Sequence, residues 1–413
     1  MRSVLPLLTA LALLAGCSNR ERANPLDPAN PQTGGRPEGF NAVAGHDVVT
    51  LAWTAQPALA IDGFRVERLA PGDSLYRALA PEFPPGASSF SDLLVADGGL
   101  YRYRLYYVIR GALAHLPAED EATPGPLRPW VADAGAGTLV RLSPDGRDVV
   151  SSYSDAGGLQ SLAVDPADGR VWTSARYDAV VTTRLPGDLV PVDITGLGQP
   201  YSLAVSPLDH GAWICELAGT LAHYSEEGLP LEHVDLLEMP SGVSVSPRDF
   251  SVWVCENGAD RARHLNSGGA LIAMAHVSTP SRVAVDSLSG QAWITSFDSG
   301  RVWRVSALGA LLDSSSAASG PIGIAVDPRR GRAWVADARG SRVVVLDVAT
   351  MRVLFTVTGL PEARDLDLDL ATGEAWVVAR SSQEIVRISR DGVVLQRIGG
   401  FNDPAEVRLD PGQ

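Results

Sequence analysis

Lysine is absent from this 413-residue sequence, so its 34 basic residues are all arginines. Acidic residues number 48, which gives a formal net charge of −14 at pH 7. A nucleic-acid-binding protein needs a basic surface to neutralise phosphates and release counterions, and we therefore expect no nucleic-acid partner. Helix signals are also scarce, whereas 41 glycines and 29 prolines suit short strands and tight turns. The composition predicts an all-β fold.

Long apolar runs are missing except near the N-terminus, where residues 4–16 read VLPLLTALALLAG. This run is too short to span a bilayer comfortably. Residues 14–17, LAGC, resemble the lipobox of bacterial lipoproteins. The resemblance implies a signal peptide over residues 1–16, cleavage before Cys17, and lipidation of that cysteine, which would anchor the protein to a membrane. We expect a lipid-anchored location in the bacterial cell envelope, at the outer membrane. A secretory segment that happens to contain a cysteine is the alternative.

Two segments of different character follow. Residues 17–37 are polar and rich in proline, asparagine and glycine, which is typical of a flexible tether. Residues 38–125 contain runs such as VVTLAW, GFRVERL and GGLYRYRLYYVIRG, in which apolar and polar residues alternate. They resemble a fibronectin type III domain, and the resemblance implies a β-sandwich with Trp53 in its core and Tyr101 at its tyrosine corner. We expect this domain to be a spacer or a general interaction module.

Residues 128–413 are repetitive. Tryptophan recurs every 40 to 42 residues, at Trp130, Trp172, Trp213, Trp253, Trp293, Trp334 and Trp376. This period suits a four-stranded propeller blade, and the region resembles the NHL and YVTN β-propellers. The first repeat has no innermost strand before it, whereas the chain ends on one, EVRLD at 406–410. The predicted fold is therefore all-β, a β-sandwich followed by a seven-bladed β-propeller closed by the C-terminal strand.

Four repeats carry an acid at the end of the tryptophan strand, and we call these the strand-end acids: Asp133, Glu216, Glu256 and Asp337. In propellers the loops after this strand share the face where ligands usually bind, so these residues predict an acidic ligand-binding mouth. The alternative is that each carboxylate accepts backbone N–H bonds in the following turn. Glu216 and Glu256 lie in adjacent repeats and form the stronger functional pair.

The segments WICE and WVCEN, which contain those two glutamates, resemble the repeats of streptogramin lyases. The resemblance implies a magnesium ion held by rim acids and a histidine base that opens a lactone by elimination. Glu216 and Glu256 would then be metal ligands, and His276, near the mouth, would be the catalytic base. This enzyme hypothesis calls for a divalent cation, magnesium or calcium, whereas a binding protein requires no cofactor.

Charged residues also replace small ones in the innermost strands of the repeat, at Arg282, Asp365, Asp367, Glu406 and Arg408. Because these strands converge on the axis, the charges predict a water-filled channel. Asp367 and Arg408 would pair across neighbouring blades. A structural ion pair is slightly favoured over a ligand site.

Cys215 and Cys255 occupy equivalent positions in adjacent repeats, where the Cα atoms should lie too far apart for a disulfide. We expect buried free thiols. The motifs assemble no complete catalytic set, so the main hypothesis is an exported, lipid-anchored, monomeric binding protein that presents its mouth to a protein, a glycan or a small ligand, and not an enzyme. The alternative is a magnesium-dependent lyase or lactone hydrolase.

Overall fold

The computed structural model describes residues 26–28, 30, 34–45, 48–155, 158–188 and 190–410. The predicted signal peptide, the lipidation site at Cys17 and most of the predicted tether lie outside these residues. The described residues form antiparallel β-sheets and two 3₁₀ helices of three residues each, Asn257–Ala259 and Arg380–Ser382. Among them, no helix is long and apolar enough to cross a membrane. The all-β prediction is confirmed.

Eight strands form two sheets in the N-terminal part of the described chain. They are β1 (Asn41–Gly45), β2 (Val48–Ala52), β3 (Gly63–Leu69), β4 (Arg77–Ala78), β5 (Ser89–Asp92), β6 (Tyr101–Ile109), β7 (Ala112–Leu113) and β8 (Ala118–Ala122). One sheet has the order β1-β2-β5, and the other has the order β4-β3-β6-β7 with β8 also paired to β6. We call these eight strands the N-terminal unit.

The two sheets of the N-terminal unit share one apolar core. Trp53 is fully buried, and its ring centroid lies 5.7 Å from that of Phe64 on the other sheet. The backbone N–H of Ala96 donates a 3.0 Å hydrogen bond to the hydroxyl of Tyr101. This bond joins the start of β6 to the segment before it, the arrangement expected of a tyrosine corner.

Seven four-stranded antiparallel sheets follow in the described part of the chain. Sheet 1 contains β9 (Arg128–Asp133), β10 (Thr138–Leu142), β11 (Val149–Ser154) and β36 (Pro404–Asp410). Sheet 2 contains β12 (Leu159–Val164), β13 (Val171–Ala175), β14 (Val180–Arg184) and β15 (Val192–Thr195), and sheet 3 contains β16 (Pro200–Val205), β17 (Ala212–Glu216), β18 (Thr220–Tyr224) and β19 (Pro230–Val234).

The remaining four sheets run in chain order in the same way. Sheet 4 contains β20 (Pro240–Val245), β21 (Val252–Glu256), β22 (Arg261–Leu265) and β23 (Leu271–His276), and sheet 5 contains β24 (Arg282–Val285), β25 (Ala292–Ser296), β26 (Arg301–Val305) and β27 (Leu311–Ser315). Sheet 6 contains β28 (Pro321–Asp327), β29 (Arg332–Asp337), β30 (Arg342–Asp347) and β31 (Val353–Thr358), and sheet 7 contains β32 (Ala363–Leu368), β33 (Ala375–Ala379), β34 (Glu384–Ile388) and β35 (Val394–Ile398).

The innermost strands of these sheets surround a central axis. Each one contacts the innermost strand of the next sheet, from β12 through β32 to β36, and β36 contacts β12. The C-terminal β36 pairs with β9, with Val407 opposite Val131. Pairing of the last strand with the first sheet joins the two ends of the repeat array and gives sheet 1 its fourth, innermost strand.

The recurrent tryptophans pack between neighbouring sheets. Trp253 of β21 shares an apolar cluster with Val283 and Ile294 of sheet 5, and it is fully buried. Trp334 of β29 similarly packs with Leu366 of sheet 7. The 40-residue spacing of the sequence is therefore the spacing of the contacts that hold one sheet against the next.

The N-terminal unit lies against the face that carries the turns between first and second strands. The Asn41 side-chain N–H donates a 2.5 Å hydrogen bond to the carbonyl of Pro207. A cavity of about 220 Å³ separates β1, β2 and β5 from four of these turns and is lined there by Pro166, Pro207, Pro247 and Pro328. Because strands alternate in direction, the loops after the second strands lie on the opposite face, which the N-terminal unit does not cover.

Candidate functional site

A cavity of about 600 Å³ opens on that opposite face, at the end of the central axis, and we call it the mouth cavity. Its lining comes from sheets 2 to 7: Arg176, Tyr201, Leu217, Met239, Ser241, Asn257, Ser281, Arg282, Phe297, Asp298, Ile322, Ala338, Arg339, Glu362 and Arg364. A volume of this size falls in the range of small-molecule binding sites.

Two positions of the repeat supply ten of these fifteen residues. The first lies at the start of the innermost strand and contributes Tyr201, Ser241, Ser281, Ile322 and Arg364. The second lies directly after the second strand and contributes Arg176, Leu217, Asn257, Phe297 and Ala338. Because the backbone of each sheet repeats, these two positions lie at the mouth in every sheet that contributes to the lining. The residue type at each position differs from sheet to sheet.

Arginines dominate the charge of the mouth cavity. Its lining has four arginines and two acids. Arg282 is neutralised by Glu406 at 2.6 Å, and Arg339 forms an exposed 3.1 Å ion pair with Asp298. The guanidinium of Arg339 also lies 4.0 Å from the ring centroid of Phe297. Both acids of the lining are engaged, since Glu362 lies 3.5 Å from Arg380 outside the cavity.

Two cations of the mouth cavity lack an acidic partner. Within the described residues, Arg364 has neither a side-chain hydrogen bond nor an ion pair, and burial lowers its pKa, as do the nearby Arg380 and Arg282. Arg176 donates only to the side-chain oxygen of Gln199, at 3.2 Å. The mouth cavity is therefore electropositive in a protein whose net charge is negative.

The strand-end acids do not line this cavity, which differs from the predicted acidic mouth. Asp337 is fully buried and accepts hydrogen bonds from the N–H groups of Ser319 at 3.1 Å, Gly320 at 2.8 Å and Gly340 at 3.1 Å. It also forms a 2.9 Å ion pair with Arg342. Burial alone would raise the pKa of Asp337, but the bonds from Arg342 and from the backbone hold this pKa below its ordinary value.

Glu256 has the same role in sheet 4. Its fully buried carboxylate forms ion pairs with Arg261 at 2.9 Å and Arg263 at 2.5 Å, and it accepts the N–H of Glu238 at 3.0 Å. Burial would raise the pKa of Glu256, but these bonds lower it. The carboxylate thus fixes the loop that leads into β20, the innermost strand of its own sheet.

Glu216 and Asp133 repeat the pattern. Glu216 accepts the N–H of Gly198, and Asp133 accepts the N–H groups of Asn402 and Asp403, both at 2.8 Å. All four acids therefore satisfy backbone donors of the loop before the innermost strand of their sheet. The geometry agrees with the alternative interpretation, in which these carboxylates accept backbone hydrogen bonds, and it extends that interpretation from the following turn to the preceding loop.

The residues proposed for metal-dependent catalysis are not brought together. Glu216 and Glu256 each bind their own loop, and the described residues contain no group of three or more histidine, cysteine or acidic side chains that could hold a metal ion. His276 is exposed at the end of β23, where it pairs in register with Arg261. It does not line the mouth cavity.

The charged residues of the innermost strands do form a network. Arg408 pairs with Asp365 at 2.5 Å and with Glu406 at 3.3 Å, and Glu406 also pairs with Arg282. Asp367 instead accepts the backbone N–H of Leu409 at 2.9 Å. An Asp365–Arg408 ion pair thus stands in place of the predicted Asp367–Arg408 pair.

Cys215 and Cys255 are buried and free, as the repeat alignment predicts. Burial raises the pKa of both thiols. They lie in β17 and β21, at equivalent positions of sheets 3 and 4.

These features define an all-β protein of propeller type, built from repeated four-stranded sheets. No protein-family model matches the chain, and no curated protein matches it. Solved structures that resemble it include a catalytically inactive virginiamycin B lyase from Staphylococcus aureus with quinupristin, at a TM-score of 0.53 and 14% identity over 61% of this chain and 92% of that one. A putative 6-phosphogluconolactonase from Bacteroides uniformis has a TM-score of 0.58 and 14% identity over 68% of this chain and 99% of that one. A protein from Lactobacillus plantarum has a TM-score of 0.59 and 13% identity, covering 69% and 99%.

At these identities the likeness shows the fold alone. The predicted similarity to streptogramin lyases is confirmed at that level. Sequence reasoning missed the two cavity-lining positions because it selected acids for their chemistry. The two positions directly adjoin residues that were selected, since Arg364 precedes Asp365 and Ala338 follows Asp337. Arginine and aromatic residues recur at these two positions, and that recurrence is the signal that could have found them.

Proposed function

We propose that this chain is an exported, lipid-anchored binding protein that holds a small ligand in the mouth of a seven-bladed β-propeller. The observation that carries the proposal is the 600 Å³ mouth cavity, in which Arg364 and Arg176 lack acidic partners. Ligand sites are typically concave, with a few polar groups that fix orientation among apolar and aromatic residues. Tyr201, Phe297 and Ile322 supply the apolar and aromatic part here.

The architecture supports this role. Seven four-stranded sheets with mutually contacting innermost strands, joined by the β36–β9 pairing, support a closed seven-bladed propeller. The two-sheet N-terminal unit, with its buried Trp53 and the Tyr101–Ala96 bond, supports a fibronectin type III-like sandwich. This unit covers the far face of the propeller, so a tether attached to it would leave the mouth open to solvent.

The lipid anchor rests on the LAGC segment at residues 14–17. In a bacterial envelope such an anchor would hold the protein, as a monomer, at a membrane surface. Metabolic labelling with a fatty-acid analogue tests it: label should enter the wild-type chain and be absent from a Cys17→Ser variant. Equal labelling of both would contradict the anchor.

A matched pair of tryptophan variants tests the mouth cavity. Ala338→Trp fills the cavity, whereas Ala218→Trp adds the same bulk to an exposed turn outside it. Native mass spectrometry of the full chain in detergent micelles, after incubation with a bacterial metabolite extract, should show bound small molecules on the wild type and on Ala218→Trp but not on Ala338→Trp. The proposal fails if the wild type retains nothing, or if Ala338→Trp retains the same molecules.

The alternative of a magnesium-dependent lyase or lactone hydrolase gains no support from the geometry, because its predicted residues do not meet. Calorimetric titration with magnesium or calcium tests it directly. Tight binding that a Glu216→Gln/Glu256→Gln double variant abolishes would favour the enzyme. No binding at millimolar magnesium would count against it.

A further inference from the structure

We infer that the mouth cavity is an anion site, which takes a small ligand bearing a carboxylate or phosphate group next to a flat apolar ring, with Arg364 as the residue that binds the anion. This inference rests on the proposed function and names the chemical class of its ligand. It follows from the charges of the lining, from their partners and from the position of the aromatic residues.

The two acids that line the mouth cavity are already paired. Asp298 is paired with Arg339, and Glu362 is paired with Arg380 and accepts the hydroxyl of Ser381 at 2.8 Å. Neither acid is therefore available to neutralise the cations at the centre of the site.

Arg364 has no acidic partner inside the mouth cavity. Arg364 is half-buried and lines the mouth cavity, and the charged groups that act on it most strongly, Arg380 and Arg282, repel it. A half-buried cation without a partner is costly, since the hydration it has lost is not replaced. A bound anion would supply the missing countercharge, and the planar fork of a guanidinium matches the oxygens of a carboxylate or phosphate.

Aromatic residues line the mouth cavity together with Arg364. Tyr201 occupies the equivalent position of sheet 3, and the guanidinium groups of Arg282 and Arg176 lie 5.5 and 5.8 Å from its ring centroid. Phe297 lines the cavity from sheet 5. A ligand with a flat ring could contact these aromatic side chains while its anionic end reaches Arg364. A neutral ligand would fill the cavity but leave Arg364 without a countercharge.

Four small probes separate these cases: benzoate, phenylphosphate, neutral benzyl alcohol and cationic benzylamine. Calorimetry with the full chain in detergent micelles should show binding of one or both anions about tenfold or more tighter than of the other two, consistent with a charge-assisted contact. Comparison of benzoate with phenylphosphate tells whether the carboxylate or the phosphate is preferred.

Two variants localise the effect. Arg364→Gln should weaken anion binding by about tenfold or more, whereas Arg390→Gln, an exposed arginine outside the cavity, should leave it unchanged. Thermal unfolding gives a second readout: the stronger anion should raise the midpoint of the wild type by mass action and raise that of Arg364→Gln much less. The unliganded midpoint of Arg364→Gln should not fall, which shows that the variant is folded.

Failure of this inference differs from failure of the proposed function. If all four probes bind equally and Ala338→Trp blocks them while Arg364→Gln does not, the cavity binds ligands but is not an anion site. If the probes bind equally to the wild type and to Ala338→Trp, the mouth is not the site and the proposed function fails too. If no probe binds at millimolar concentration, the anion site is overturned.

Discussion

The carboxylate of Asp337 accepts a 2.8 Å hydrogen bond from the backbone N–H of Gly320, 17 residues earlier in the chain. Asp337 ends the second strand of sheet 6, and Gly320 directly precedes the first strand of that sheet. The bond joins the loop that enters the sheet to the strand beside it. Asp133, Glu216 and Glu256 make the same connection in sheets 1, 3 and 4.

Replacement of Asp337 tests this structural role. Asp337→Ala removes the acceptor of the N–H groups of Ser319 and Gly320, of which Gly320 is buried, and a buried donor left without an acceptor costs about 1–3 kcal/mol. We expect the free energy of unfolding in urea to fall by about 2–4 kcal/mol. The exposed Asp391→Ala serves as the control and should change it by less than about 0.5 kcal/mol. A similarly small effect of Asp337→Ala would contradict the interpretation.

The contribution of the Asp337 carboxylate to the stability of the fold should decrease at low pH. The pKa of Asp337 in the folded protein lies below its ordinary value of 3.8. Its contribution to stability is therefore complete above about pH 3.8 and is lost as the pH falls through the lower, folded-state pKa.

The network of charged residues in the innermost strands gives a second prediction. Glu406 is buried and lies between Arg282 and Arg408, and it also accepts the N–H of Leu162 at 2.9 Å. Glu406→Gln removes the buried negative charge that these two half-buried cations share, so the free energy of unfolding should fall by about 3–5 kcal/mol.

The matched control for Glu406→Gln is Glu121→Gln, since Glu121 forms an exposed 2.9 Å pair with Arg102. Exposed pairs contribute about 0–1 kcal/mol, so this control should change stability little in the same urea titration. Equal effects of the two substitutions would show that the charges of the innermost strands are not structural.

The third prediction concerns pH and His210, beside the N-terminal unit. Its imidazole lies 2.8 Å from Asp165 and lines a small cavity with Asp120 of β8. The hydrogen bond to Asp165 raises the pKa of His210 to about 9. Because this exceeds the ordinary value of 6.5, the pair stabilises the fold fully below about pH 6.5 and loses this effect as the pH rises through 9.

The unfolding midpoint should therefore decline between pH 7 and pH 9.5 in the wild type, about the pKa near 9, and decline less in His210→Gln. The exposed His276→Gln is the control and should follow the wild type. NMR titration of the imidazole checks the pKa itself. A midpoint near 6.5 for His210 would overturn the prediction.

The fold was largely predictable from local signals. Seven tryptophans at nearly constant spacing, each at the start of a similar strand, predict repeated four-stranded sheets, and the unmatched strand at each end of the array predicts the pairing of β36 with β9. These inferences succeed because each sheet is built mainly from consecutive residues, so its strands are adjacent in the sequence.

The site was harder to predict, as Asp337 and Ala338 illustrate. Both lie at the end of the second strand, but successive side chains point to opposite sides. The acid turns toward backbone donors inside the protein, and the alanine lines the mouth cavity. A choice based on chemical type therefore selected the residue one position before the one that lines the mouth cavity.

The sequence by itself determined the repeat, the all-β class and the buried, unpaired state of Cys215 and Cys255, because periodic spacing constrains residues within and between neighbouring sheets. Only the tertiary structure decided that the mouth is electropositive, that Arg408 pairs with Asp365, and that Arg364 lacks a partner. These properties depend on which side chains from distant repeats converge at the axis, and that convergence is set by the closed ring rather than by any local pattern.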